Sequence, residues 1–346
     1  MAPEFAIRIH EGSGKGPVVV LVHGLAVSEK IWIEPENETL FAGLLPFRRL
    51  VADLSRPPAG EDIQTGNAFS GGFAFSPSRW DGEEKPAGFW GLLVAEGYTT
   101  VTWSQREPKG PIATAVEELV QVMKLVDERF PSRKVALLCH SRGGLVARRF
   151  LETHPEERAK IAAFIGMGVP HRGSRLASFG IVLSPLMALI RGVTEQFGKN
   201  GGLSVQAEDF VARLKKGLQS EGFLELIPES SFIKSLRGEK IPGIRYISIA
   251  GTTARYIKGY LLRPGNEVSA RELFTLPDSL VEKMPAAMAP DEMVDGKGDG
   301  QVSVESTRLP WADEEYLLPV NHAEMVVDKE VQRIVFEVLR EMKGEA

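Results

Sequence analysis

Cysteine is almost missing from this sequence, with Cys139 the single one in 346 residues. A lone thiol closes no internal disulfide, and no Cys/His spacing of a structural metal site can be built around it, so no metal is expected. Charge of one sign is not in excess either: 41 Lys and Arg against 46 Asp and Glu leave a net charge of −5. Without a basic stripe or a Lys/Arg run interleaved with aromatics, nucleic acid is not an expected partner. Long apolar runs are missing as well. The most lipid-like, 181–190, is too short to span a bilayer and contains Ser184 and Pro185. The opening Met1-Ala2-Pro3-Glu4-Phe5 lacks the basic patch and apolar core of a secretory signal, and a cytoplasmic location is therefore the expectation. What remains is 43% apolar, enough to bury one large core or two.

The apolar residues fall into short continuous runs that alternate with amphipathic stretches. Strands are expected at 5–10, 17–22, 47–54, 99–104, 135–139, 161–168, 244–250 and 315–318, and helices at 38–45, 89–97, 112–130, 144–150 and 331–339. This alternation implies an α/β protein with a mostly parallel sheet covered on both faces. Two regions break it. Residues 55–88 are rich in Pro, Gly and aromatics, a length without periodicity that points to a functional or poorly ordered segment. Residues 261–293 also read as irregular.

The most informative stretch is Cys139-His140-Ser141-Arg142-Gly143-Gly144. A buried strand ends just before Ser141 and a helical pattern begins just after it, so the serine sits on a tight turn. Its hydroxyl then projects clear of the backbone, and the next N–H, at the helix start, aims at any oxyanion formed there. Gly143 and Gly144 let the helix pack close to the strand. The bland alternative is a crossover with an incidental serine. This Cys-His-Ser-Arg-Gly run resembles the nucleophile elbow Gly-x-Ser-x-Gly of the α/β-hydrolases, with Cys139 where a smaller residue is usual. A slight shift of the turn is expected to accommodate it.

A serine is a poor nucleophile without a positioned base, and six histidines are present. Only His322 lies in a loop after a late strand. Its Asn321-His322-Ala323-Glu324-Met325 setting resembles the catalytic loops of bacterial lipases, as does the Gly168-Val169-Pro170-His171-Arg172-Gly173-Ser174 run after strand 161–168. The resemblance, which covers 18–339, implies His322 as base and His171 as a residue that shapes its loop near the site. For the acid, Asp291, Asp295 and Asp299 compete. Gly298-Asp299-Gly300-Gln301-Val302 resembles the Gly-Asp-Gly-x-Val pattern of lipase-like hydrolases and favours Asp299, with Asp295 next. His23-Gly24-Leu25 after strand 17–22 resembles an oxyanion loop, which implies Leu25 N–H and Arg142 N–H as the oxyanion donors and a structural His23. Some related lipases hold calcium near the position of Glu324; nothing else in this sequence supports it.

The resemblance implies the α/β-hydrolase fold with a core over 1–176 and 239–346 and a helical cap or lid inserted at 177–238. Leu186, Leu189 and Ile190 would line an acyl pocket under that cap, hinged at Gly198-Lys199-Asn200-Gly201-Gly202. A carboxylic ester hydrolase, an esterase or lipase with a Ser-His-Asp triad and no cofactor, is the expected function. Its substrate would be a small-molecule or lipid ester, with transient contact to a lipid interface. A lipid acyltransferase or amidase would share every motif, and a non-catalytic binding protein of the same fold would differ in class.

Overall fold

The apolar runs pair side by side in a computed structural model that describes residues 5–13, 16–40, 45–58, 68–69, 73–81, 87–178, 219–263, 269–285 and 288–344. Seven of them form the central sheet: β1 (Ile7–His10), β2 (Val18–Val22), β3 (Thr100–Trp103), β4 (Val135–His140), β5 (Ile161–Met167), β6 (Arg245–Gly251) and β7 (Glu314–Leu318). Their order is β1-β3-β2-β4-β5-β6-β7. Edge strand β1 runs antiparallel to β3, and every other pairing is parallel. All five residues of β2 are buried, because helices cover both faces of the sheet and leave no polar side for an alternating pattern.

The two faces make two cores. Val18, Val20 and Val22 join α2 (Ile112–Arg129) and α3 (Arg142–Thr153), while Val19 and Leu21 join α1 (Phe89–Ala95) and the closing helix α4 (Lys329–Gly344). Because β2, β4, β5, β6 and β7 are parallel, the loops that leave them emerge at one edge, where open parallel sheets place their sites.

Three expectations fail. No helix occupies 38–45: Thr39–Leu40 instead pairs antiparallel with Leu45–Pro46, and Glu38 is buried with its carboxylate on the N–H and hydroxyl of Ser28. Residues 47–54 are not a strand, but start as the 3-10 turn Phe47–Arg49. Among their buried positions, Phe47 with Leu50 and Val51 are spaced three and four apart, as on a helical turn, before the chain straightens at buried Ala52, which bridges to Ser78. Residues 261–293 are not irregular throughout. Ile257–Arg263 and Ser269–Leu276 form a hairpin that adds Phe73–Phe75 and Ala68–Phe69 to make a second, antiparallel sheet, and Asp278–Val281 is a short helix.

Most of the expected cap, including Leu186, Leu189, Ile190 and the glycine-rich hinge, lies outside the described residues. Its described end is docked on the core: Phe223, Leu226, Ile227, Phe232 and Ile233 pack against the α2/α3 face, and Glu225 accepts the N–H of Ile112 at 2.7 Å. Among the described residues no helix is long and apolar enough to cross a membrane.

Candidate active site

At the end of β4 the chain turns sharply into α3, and Ser141 takes the turn with φ 56° and ψ −133°. A side chain in this left-handed region is strained, and such strain persists only where the surroundings over-determine it. Here they do: Ser141 N–H donates to Met167 O on β5 at 2.9 Å, and Gly144 N–H returns to Ser141 O at 3.0 Å. A Cβ on Gly143 would lie 2.2 Å from the carbonyl oxygen of Val22, so only glycine lets α3 begin this close to β2. Cys139 is buried between Val22 and Gly166 on the flanking strands, and burial pushes its thiol pKa well up.

The loop after β7 brings His322 to Asp299, with Nδ1 to Oδ2 at 2.7 Å and both side chains buried. The other carboxylate oxygen accepts the N–H groups of Gln301 and Val302 at 2.9 and 2.7 Å, and His322 N–H donates to Asp299 O at 2.9 Å. A carboxylate oxygen accepts in such a pair, so Nδ1 donates in this bond and Nε2 is the ring nitrogen turned away from Asp299. That Nε2 is buried without a hydrogen-bond partner among the described residues. Asn321 holds the loop: its amide donates to Leu50 O and Arg255 O, and its oxygen accepts from Ala323 and Glu324 N–H. The other aspartates are elsewhere. Asp295 accepts Ala254 N–H and pairs with Arg255, and Asp291 pairs with Lys297.

His140 ties the serine turn to this loop. Its Nε2 donates to His322 O at 2.9 Å, and the two rings lie 4.6 Å apart between centroids. Burial, reinforced by the neighbouring His322, holds its pKa far below the ordinary histidine value, so it stays neutral. Gly168, first residue of the Gly-x-Pro-His-x-Gly-Ser run, closes the other side at φ +57°, where a Cβ would lie 2.9 Å from His322 Nδ1.

The loop after β2 approaches Ser141 from across the turn. A Cβ on Gly24 would lie 3.0 Å from Ser141 Cβ and 3.5 Å from its Oγ. Among the described residues, Ala26 at φ 57° is the only non-glycine besides Ser141 with positive φ, and its N–H is held by Pro108 O at 2.8 Å. The described hydrogen bonds leave the N–H groups of Leu25 and Arg142 unused. His23 is buried, and desolvation lowers its pKa to about 4. His171 is also buried, its N–H on Val169 O and Ser306 O, its Nδ1 beside Arg148.

Glu324 is occupied within the protein, one oxygen on Arg79 at 3.0 Å and the other accepting Asn321 N–H at 3.0 Å. Among the described residues no group of His, Cys, Asp and Glu is arranged to hold a metal ion. The sequence offered no signal for Gln105, which bonds both to His23 and to Arg142, or for Tyr256, whose hydroxyl donates to Asp299 O at 3.0 Å. For His140 the signal was its place beside Ser141.

A family described as a domain of unknown function, DUF7379, matches residues 111–339. The human protein SERAC1 (Homo sapiens) is 26% identical over 219 residues, 61% of this chain and 30% of SERAC1, so the chain spans less than a third of that protein's length. The lipase BlEst2 of Bacillus licheniformis in its propeptide form superposes at a TM-score of 0.52 with 17% identity, over 96% of this chain and 53% of that one. Its mature form gives 0.46 and 16% over 98% of both chains. The chain has the α/β-hydrolase fold.

Proposed function

The chain belongs to the DUF7379 family, and from that premise we propose that it is a serine hydrolase of carboxylic esters. Ser141 is the nucleophile, His322 the base and Asp299 the acid that orients it. The observation that carries this reading is the buried Asp299–His322 pair at 2.7 Å, with Nε2 unpartnered among the described residues, on a loop bonded at His322 O to His140, the residue before Ser141. The fold, shared with a bacterial lipase, supports it.

Ser141 Oγ attacks the acyl carbonyl as His322 Nε2 takes its proton. Asp299 keeps the ring in the Nδ1–H tautomer and stabilises the imidazolium that forms. The oxyanion is held by the N–H groups of Leu25 and Arg142, fixed donors that need no reorganisation at the moment of reaction. His322 returns the proton to the leaving alkoxide, and water then releases the acid by the same steps. We propose a division into a core over 1–176 with 239–346 and an insertion over 177–238, whose described end packs on the α2/α3 face. The substrate is a small-molecule or lipid ester.

The test is a fluorophosphonate label run beside p-nitrophenyl esters of graded chain length. Wild-type protein is expected to label once per chain and turn over short esters. Ser141→Ala is expected to fold, fail to label and lose on the order of 10⁴-fold or more in kcat. Full turnover by Ser141→Ala overturns the assignment, and a wild-type chain that neither labels nor hydrolyses any ester makes it a binding protein.

A further inference from the structure

Arg142 is used above only for its backbone N–H, yet its side chain is one of the largest fully buried groups in the protein. Among the described residues the guanidinium forms no direct ion pair, and Glu225 and Glu118 act on it only from a distance. Nη1 donates to Gln105 Oε1 at 2.8 Å, Nη2 donates to Gly110 O at 2.6 Å, and Nε is buried without a partner among the described residues. Burying a cation, even with carboxylates nearby, costs stability that an apolar residue of similar size would not, and its two direct bonds go to groups on the far side of the site.

Those bonds lead to the other side of the site. Gln105 is gripped from behind: the next residue, Arg106, gives its N–H and Nε to Glu118, which also takes Trp103 Nε1. In front, Gln105 Nε2 donates to His23 O at 3.1 Å and Gln105 N–H donates to His23 Nε2 at 3.0 Å. A backbone N–H can only donate, so Nε2 must be the bare nitrogen and Nδ1 must carry the proton. Nδ1 lies 3.0 Å from Gly24 O and therefore donates to it. Gly24 O and Leu25 N–H belong to one planar trans peptide and point in opposite directions. Holding the oxygen against His23 aims the N–H away from it.

We propose that the buried Arg142 side chain, acting through Gln105 and His23, fixes the Gly24–Leu25 peptide with its N–H turned to the oxygen that forms above Ser141. The consequence for rate rests on the hydrolase reading; the geometry does not. One residue then sets both oxyanion donors, the first with its own N–H and the second through its side chain, so the two loops cannot drift apart independently. The side chains of Arg142, Gln105 and His23 are positioning groups, and none of the three side chains touches substrate.

Two measurements test this. The first is the tautomer of His23, read from long-range ¹⁵N–¹H correlations of the imidazole in the intact protein and assigned by loss of the signals in His23→Gln. The Nδ1–H form is expected in wild type, and loss of that fixed form in Gln105→Leu. The second is steady-state kinetics on p-nitrophenyl butyrate, with active sites counted by the fluorophosphonate. Gln105→Leu and Arg142→Met are expected to lose about 10²-fold in kcat per labelled site with KM little changed, the size of one lost oxyanion donor. Arg142→Lys is expected to recover part of that loss. A merely structural defect would lower the number of labelled sites and leave kcat per site intact, which overturns the proposal. The Nε2–H tautomer in wild type overturns it whatever the activity, and whether or not the variants fold. A wild-type chain with the Nδ1–H ring and no labelling would instead remove the hydrolase reading and leave the relay standing.

Discussion

Asp295 and Asp299 are both acidic residues beside a glycine, yet only one reaches a histidine. Asp295 is spent on Ala254 N–H and Arg255 at the surface, whereas Asp299 is buried with one oxygen on two backbone N–H groups and the other on His322. Asp299→Asn is therefore expected to lower kcat by about 10⁴-fold, through the wrong histidine tautomer, while Asp295→Asn changes it little. Steady-state kinetics of the two variants decide between them, and the reverse ranking would move the acid. Gly168 makes a second prediction at this scale. An added methyl would strain φ at +57° and lie 2.9 Å from His322 Nδ1 and 3.1 Å from Asp299 Oδ2. Gly168→Ala should lose kcat in assays on folded protein, while Gly238→Ala, where a Cβ meets nothing within 4 Å, should not. Cys139 behaves in the opposite way to a reactive thiol. Buried and with its pKa pushed up, it should react slowly with thiol reagents until the protein is unfolded.

The hairpin Ile257–Leu276 is the element that sequence reading passed over, and it leads out of the site. Tyr256, at its start, packs its ring under Gly300 and donates its hydroxyl to Asp299 O, while Arg255 O receives the amide of Asn321. Its pattern was hard to read because Ser269, Arg271 and Glu272 are exposed in the second strand and the sequence between the strands is Pro-Gly-Asn-Glu-Val, so neither alternation nor a continuous apolar run marks it. Tyr256→Phe removes one hydrogen bond and is expected to cost about 1 kcal/mol in urea unfolding. Asn321→Ala leaves the carbonyls of Leu50 and Arg255 and the two buried N–H groups of Ala323 and Glu324 without their partner and is expected to cost about 2–4 kcal/mol. Equal, negligible losses in both variants would show that the loop is held by packing alone.

The whole molecule carries three buried histidines whose pKa values are lowered by desolvation, His23 to about 4 and His140 and His171 well below the ordinary 6.5. Each binds a proton in the unfolded chain below about 6.5 and resists it in the folded one. Their contribution is thus present above pH 6.5 and lost as pH falls toward the folded values. Glu225, Glu292 and Glu324, raised by burial, act in the opposite direction. The difference between two proteins isolates one group. Between pH 6 and 5, wild type should lose about 1.4 kcal/mol per pH unit more than His171→Asn, one proton's worth, in urea unfolding followed by circular dichroism. Parallel curves would mean that His171 is protonated in the folded state.

Local residue patterns determined the parallel sheet, because strands buried on both faces read as continuous apolar runs, and located Ser141, because a strand that runs directly into a helix leaves one place for the turn. They also ranked Asp299 and His322 through short motifs, since those loops carry the required residue types within a few positions. They could not show that residues 47–54 curl into a turn, because apolar content alone does not distinguish spacings of two from spacings of three and four. Nor could they join Arg142 to Gln105 and His23. Those residues are separated by 37 and 82 positions and meet only because β3, β2 and β4 lie side by side in an order the chain does not follow. Contacts of that kind arise from the packing of whole strands, and no stretch of sequence contains them.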